Sequence, residues 1–242
     1  MNRLQVENGL ILTALTGSRS YKLDVEGSDA DYKGIFIAPK EYYLGLKNIE
    51  QKDSGWLTEV GQEKFNYLTN KDTVCFELKK FLKLASNCNP NIIELLFQDN
   101  YLFKTHLGQK LIDNRHLFLS KRAKHSFGGY AKHELSRLRK KASRVNPVCG
   151  YDSKSAMHCI RLLTMGVEIM VEGHVFVNRE YAGDAKYLLD IRKGIFPLET
   201  IEEKADTLLE KLNRCYTTSE LPKVSNEEAI NDLCVELVSY CV

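Results

Sequence analysis

Residues 17–39 read GSRSYKLDVEGSDADYKGIFIAP. Ahead of them, Ile11 to Thr16 is apolar enough for a short buried strand, and Gly17-Ser18 breaks it. Asp24 to Asp29 is turn-like. Asp29 to Ala38 alternates and then turns apolar, which predicts a second strand stopped by Pro39. Asp29 and Asp31 are two apart, so a strand sets both carboxylates on one face. Like charges so close are costly unless something cationic neutralises them. Mg²⁺ takes carboxylate oxygens and substrate phosphates while keeping part of its water shell. Gly17 lets the backbone approach a ligand closely. A helix beginning at Ser18 would turn its free N–H groups and positive dipole end towards phosphate. Gly17, Ser18 and Arg19 are therefore candidate phosphate-binding residues, beside a candidate metal platform at Asp29 and Asp31. Together they are the parts needed for phosphoryl or nucleotidyl transfer.

Downstream, residues 49–69 are irregular and polar, predicting a loop with a hairpin. Asp72 to Phe76 predicts a third strand. Glu77 to Ala85 has helical spacing, with Leu78, Phe81, Leu82 and Ala85 on one face. Asn89-Pro90 breaks it, and a helix restarts at Asn91 with Asn89 or Asn91 as cap. Beyond about Leu107 strand-like runs become scarce. Residues 120–143, 154–172, 184–193, 198–213 and 226–238 all predict helices. The expected fold class is α+β: residues 1–105 form a mixed sheet with helices, and residues 106–242 a mostly helical domain. No internal repeat is present.

The chain has 242 residues, 43% apolar and 27% charged, with 15 glycines and 5 prolines. That composition excludes a disordered chain, a collagen and a coiled-coil rod. A net charge of +2 decides nothing about partners. Seven cysteines, an odd number with no Cys-x-x-Cys pair, argue against a disulfide framework or zinc ribbon. They predict reduced thiols in a cytoplasmic protein. No apolar run approaches the roughly 18 residues of a membrane span. Gly9 to Thr16 has Glu7 before it and a poor cleavage site after it, so a buried strand is expected there rather than a signal peptide.

In the helical half, Lys121 to Arg144 contains nine Lys or Arg and one Glu, including Arg137, Arg139, Lys140, Lys141 and Arg144. Such a stretch either binds nucleic acid through counterion release or is a solvated helix face. Lys154, His158 and Arg161 fall at i, i+4 and i+7, one helix face suited to a triphosphate or an RNA backbone. Arg179 and Arg192 are weaker candidates. Walker-type and dinucleotide glycine loops, a zincin helix and a nucleophile elbow are absent from the sequence.

The head segment resembles the DNA polymerase beta superfamily of nucleotidyltransferases. More narrowly, it is similar to the predicted nucleotidyltransferase family linked to RNA repair. Members carry Gly-Ser-Arg-x-Tyr-Gly, then Ser-Asp-x-Asp, then a Tyr-Tyr-Leu-Gly stretch, here Tyr42 to Gly45. The resemblance continues through Glu77 to Phe81, Asn89 to Asn91, Glu94 to Phe97, Phe127 to Ala131, His158 to Leu163 and Ile191 to Gly194. One departure is Lys22, where the family usually has glycine, which bears on the shape of the phosphate loop. The resemblance implies three acidic residues holding two metal ions, Mg²⁺ or Mn²⁺. Asp29 and Asp31 match two of them. The third is Asp72 or Glu77, which have opposite parity on one continuous strand, with Asp72 slightly favoured. The implied reaction moves a nucleoside monophosphate from an NTP such as ATP to an acceptor hydroxyl, releasing pyrophosphate; an RNA 3′ end fits as acceptor, and a protein hydroxyl or a small molecule is also open. His158 and Arg161 would stabilise phosphate charge. The alternatives are a non-catalytic nucleotide- or RNA-binding module and an adenylylating antitoxin that modifies a protein. Oligomeric state is not readable.

Overall fold

A computed structural model describes residues 7–53, 63–70, 72–138 and 145–240. The chain divides into two compact units, one of residues 1–86, 92–118 and 226–242, the other of residues 87–91 and 119–225.

The first unit begins with β1 (Leu10–Thr16), the single helical turn α1 (Gly17–Ser20), β2 (Asp31–Phe36), the short α2 (Glu41–Leu44) and β3 (Gln51–Asp53). A 3₁₀ segment (Glu63–Thr69), β4 (Thr73–Glu77), α3 (Leu78–Ser86), α4 (Pro90–Leu96), β5 (Phe103–Lys104) and α5 (His106–Asp113) follow. The sheet order is β3-β4-β2-β1-β5. β2 and β4 are parallel and the other neighbours antiparallel, so the sheet is mixed, as expected. The third strand runs one residue later than its predicted span. Alternation sorts the side chains. Leu10, Phe36 and Cys75 join Phe65 and Leu68 in one apolar cluster, with Tyr32 and Tyr67 against it. Asp31, Lys33 and Ile35 point to the opposite face.

α3 buries the four residues its spacing predicted, Leu78, Phe81, Leu82 and Ala85. α4 starts at Pro90, and the Asn89 carboxamide oxygen accepts from Asn91 N at 3.1 Å, so Asn89 is the cap. α5 lies close on β1: a Cβ on Gly108 would stand 2.2 Å from the Ile11 carbonyl oxygen. That close approach explains why the boundary between the units falls after Phe118, not near residue 105.

The second unit holds α6 (Ala123–Arg137), α7 (Ser153–Glu172), α8 (Arg179–Ala182), α9 (Ala185–Lys193) and α10 (Leu198–Thr218). α7 is its centre: α6, α9 and α10 all pack on it. Its residues are buried on nearly every side, from Ala156 to Met170. α11 (Glu227–Ser239) belongs to the first unit, where it packs on α3 and buries Ile230, Leu233 and Leu237. This differs from the expectation of one helical domain over residues 106–242, because an amphipathic pattern does not say which surface it covers.

Candidate active site

β1 ends at Thr16, and Gly17 turns the chain with φ +69°. An L side chain rarely adopts that angle. A Cβ at Gly17 would also stand 1.9 Å from Asp31 Oδ2. Missing bulk at Gly17 therefore makes room for the Asp31 carboxylate. The register delivers it there: Thr16 pairs with Asp31 across the β1/β2 ladder. The Thr16 hydroxyl donates to the Asp31 carbonyl at 3.3 Å.

α1 is one turn long, and Leu23 N donates back to the Ser18 carbonyl at 2.9 Å. Tyr21 is buried and its hydroxyl donates to the Glu94 carboxylate, which ties the turn to α4. Arg19 is exposed. Its Nη2 donates to the Ser28 carbonyl at 3.0 Å, so it braces the loop that leads to Asp29. Ser28 closes that loop by accepting from Val25 N at 2.9 Å. Asp29 follows, exposed, at the edge of β2.

Lys22 has φ +60°. The glycine usual in the family at this position is thus explained: the turn ends in a left-handed residue, and lysine adopts it in glycine's place. Holding an L residue there costs about 1–2 kcal/mol, partly offset by the entropy glycine would lose. Lys22→Gly is expected to raise stability by about 0.5–1 kcal/mol, read as a higher Tm in thermal melts.

The two candidates for the third carboxylate lie at opposite ends of β4. Tyr32 pairs with Thr73 and Phe36 with Glu77 in the parallel ladder. Tyr32 N donates to the Asp72 carbonyl at 3.2 Å, the bond that belongs to the Tyr32–Thr73 pair, and Asp72 is the residue just ahead of β4. Within β2, alternation sets Lys33 on the face of Asp31. Lys33 carries no motif and was not singled out in the sequence, although period two from Asp31 points to it. Glu77 is five residues on from Asp72, about 16 Å away, and on the other face. It has a different task. Its Oε2 accepts from Lys79 N at 2.8 Å and Lys80 N at 3.3 Å, capping α3. Its Oε1 accepts from the Tyr43 hydroxyl at 2.5 Å. Burial pushes its carboxyl above the usual carboxylate range, against the hydrogen bonds that oppose the shift. A cavity of about 90 Å³ opens there, between Tyr42, Tyr43 and the lysines of α3. The register thus sets the Asp72 backbone level with the start of β2 and Glu77 level with its end.

Among the described residues no three His, Cys, Asp or Glu are gathered closely enough to hold a metal by themselves. Hard carboxylate oxygens beside a phosphate loop still suit Mg²⁺, which usually takes one or two carboxylates and fills its shell with water and substrate phosphate.

In the helical unit Lys154, His158 and Arg161 lie on α7 as the spacing predicted. Lys154 is exposed, His158 half-buried and Arg161 4% exposed. Burial, with Arg161, Lys154 and Arg192 nearby, pushes the His158 imidazole down to about 3. The folded histidine stays neutral where the unfolded one, near 6.5, takes a proton. Stability should therefore fall as pH drops from about 6.5 towards 3, by up to about 1.4 kcal/mol per pH unit. Urea titrations at pH 7 and pH 5 check this: the difference between them should shrink in His158→Gln. Arg179 is a structural residue, fully buried between Glu168 and Asp184.

Of the basic stretch, Arg139, Lys140, Lys141 and Arg144 lie outside the described residues. Arg137 pairs with Glu134 at 3.0 Å, and Lys124 stands 4.5 Å over the Tyr216 ring. Cys75, Cys88, Cys149, Cys159, Cys215 and Cys234 are free thiols. Among the described residues no helix is long and apolar enough to cross a membrane.

The sequence profile of RlaP, the RNA repair pathway DNA polymerase beta family, matches residues 2–236. The chain belongs to the RlaP family. Membership covers both units, so the helical unit is part of what the RlaP family shares. It also agrees with the resemblance carried by the head motif. A stretch of 164 residues is 27% identical to an uncharacterised protein of Methanocaldococcus jannaschii, covering 67% of this chain and 61% of that protein. The chain thus matches less than two thirds of that relative's length. No solved structure matches the chain.

Proposed function

We propose that this RlaP-family protein is a metal-dependent nucleotidyltransferase that moves a nucleoside monophosphate from an NTP to an RNA 3′ hydroxyl. The observation that carries the reading is the seat of Asp31: its carboxylate fills the space beside Gly17, and the Asp72 carbonyl accepts from Tyr32 N on the next strand. The phosphate-binding backbone and the paired acids are thereby neighbours.

The residues divide the work as follows. Backbone N–H groups of the Gly17–Arg19 turn, which lack partners within so short a helix, hold the β- and γ-phosphates. Asp29, Asp31 and Asp72 would hold Mg²⁺. The ion, when bound, stabilises negative charge on the attacking and leaving oxygens of an in-line displacement. Asp72 takes the proton from the acceptor hydroxyl. The acceptor oxygen forms a bond to the α-phosphorus, the bond to the bridging oxygen breaks, and pyrophosphate leaves. Arg19, by gripping the Ser28 carbonyl, keeps the Asp29 loop against the turn.

The test supplies each α-labelled NTP with Mg²⁺ or Mn²⁺, total RNA and cell lysate, to wild type and to Asp29→Ala/Asp31→Ala. Label on RNA with wild type alone is the expected result. Label on a protein would instead mark a protein-modifying enzyme. Metal-dependent NTP binding without label on RNA or protein would favour a non-catalytic module, and absence of NTP binding would overturn the site.

A further inference from the structure

The outward face of α6 carries two features that packing among the described residues does not explain. The first is Gly129. It stands exposed in the middle of a 15-residue helix, and a Cβ there would meet nothing within 4 Å. Its neighbour Gly128 differs: it is buried, and a Cβ there would stand 3.5 Å from Leu212 of α10. Glycine inside a helix costs about 1 kcal/mol against alanine. At Gly129 no close packing among the described residues offsets that cost, and the bare backbone lets a ligand approach closely.

The second feature is charge. His125, Gly129, Lys132 and Ser136 fall at i, i+4, i+7 and i+11, and all four are exposed. α6 has one acid, Glu134, which Arg137 engages at 3.0 Å. The Tyr216 ring of α10 extends the face. Lys124 Nζ stands 4.5 Å and Lys121 Nζ 5.6 Å from its centroid, and the His125 ring meets it edge-on with centroids 6.1 Å apart. Lys121 N donates to the Pro222 carbonyl at 2.8 Å, which fixes the head of α6 against the chain leaving α10. The last two turns of α10, Lys211 to Thr218, add two more cations and no acid. Among the described residues Lys121, Lys124 and Lys132 make no ion pair.

One tyrosine thus gathers two ammonium groups, and like charges held close without a carboxylate favour a polyanion. Tyr130, 42% exposed, stands next to Gly129, so aromatic rings accompany the cations. Cations interleaved with rings suit a strand that offers both phosphates and base faces, which an acidic peptide does not.

We propose that the face of α6 around His125, Gly129 and Lys132, with Lys121, Lys124 and Tyr216 at its head, docks single-stranded RNA. The cations take its phosphates and the exposed rings take base faces. The proposal rests on RNA as the acceptor and names the surface that holds it.

The test is fluorescence anisotropy of a labelled single-stranded oligoribonucleotide with the full chain in EDTA, over a salt series. Binding is then read without metal or transfer. Wild type is expected to bind, more weakly as salt rises. Lys124→Gln and Lys132→Gln should each weaken binding about threefold to tenfold and lower the salt slope by about 0.7, the value of one phosphate contact on a single strand. Gly129→Gln sets bulk on the bare backbone without removing charge. It should weaken binding severalfold while thermal melts show no loss of stability. Asp29→Ala/Asp31→Ala should bind as wild type does. Unlabelled RNA should displace the labelled strand, and poly-glutamate of equal charge should not. Wild type that fails to bind overturns the proposal. So do Lys124→Gln, Lys132→Gln and Gly129→Gln all binding like wild type, loss of binding in Asp29→Ala/Asp31→Ala, or displacement by poly-glutamate as effective as by RNA, which would mark an acidic-protein surface. Transfer of label to RNA by wild type, with unchanged affinity in the three α6 variants, would overturn this surface and leave the proposed reaction standing.

Discussion

Asp72→Asn is expected to lower nucleotidyl transfer about a thousandfold while leaving the fold intact. A carboxylate that holds metal and takes the acceptor's proton contributes several kcal/mol to the transition state, and each 1.36 kcal/mol is about tenfold in rate. Asn keeps the size of Asp72 but neither the charge nor the basicity. Asp72 is half-buried at the mouth of the sheet, where an amide is easily tolerated. The informative comparison is Glu77→Gln. Glu77 caps α3 and accepts from Tyr43 at the far end of β4. Gln preserves one acceptor oxygen, so transfer should stay within a few-fold and stability should fall by about 1 kcal/mol. The pH profile of stability separates them further. The Glu77 carboxyl is raised by burial, so the folded chain holds a proton that the unfolded chain has released. Wild-type stability therefore declines as pH rises from the ordinary carboxylate value through the raised one, and Glu77→Gln removes that decline. Transfer lost in Glu77→Gln and retained in Asp72→Asn would reverse the assignment.

Arg179→Met is expected to destabilise the helical unit by about 3–5 kcal/mol, the usual cost of removing one partner from a buried ion cluster. Arg179 is fully buried. Its Nε and Nη2 donate to Asp184 at 2.8 and 2.7 Å, and its Nη1 and Nη2 donate to Glu168 at 3.1 and 2.8 Å. Nη1 also reaches the Phe176 carbonyl at 2.8 Å. Without the guanidinium, two carboxylates face each other with their donor gone. Methionine fills much of the volume, so the loss is electrostatic rather than a cavity. Replacing all three residues with apolar ones should cost less than Arg179→Met alone, because no unpaired charge then remains. Urea unfolding of the single and triple variants measures both. A single-variant loss below about 1 kcal/mol would show the cluster to be of surface-pair strength.

The head motif was legible because its parts are local. Gly17, Ser18, Asp29 and Asp31 sit within fifteen residues, and one turn between two strands suffices to bring them together. The helices were legible for the same reason: Leu78, Phe81, Leu82 and Ala85 recur at a spacing that neighbouring residues alone create. Lys22 shows the limit. Its departure from the family pattern is visible in the sequence, but only the backbone angle shows that the usual glycine is there for φ.

The amino-acid sequence by itself determined the family and the α+β class and singled out the Gly17 turn with Asp29 and Asp31, all matters of short-range pattern. Tertiary structure decided where the two candidates for a third acid lie. Parity separated Asp72 from Glu77 in the sequence, but the parallel register with β2 put one level with the start of β2 and the other level with its end. It also decided the joins between distant motifs: Tyr21 to Glu94 and Tyr43 to Glu77. It returned α11 to the sheet unit as well. Such pairings depend on which surfaces pack, and burial rewards many apolar arrangements almost equally until the whole chain selects one.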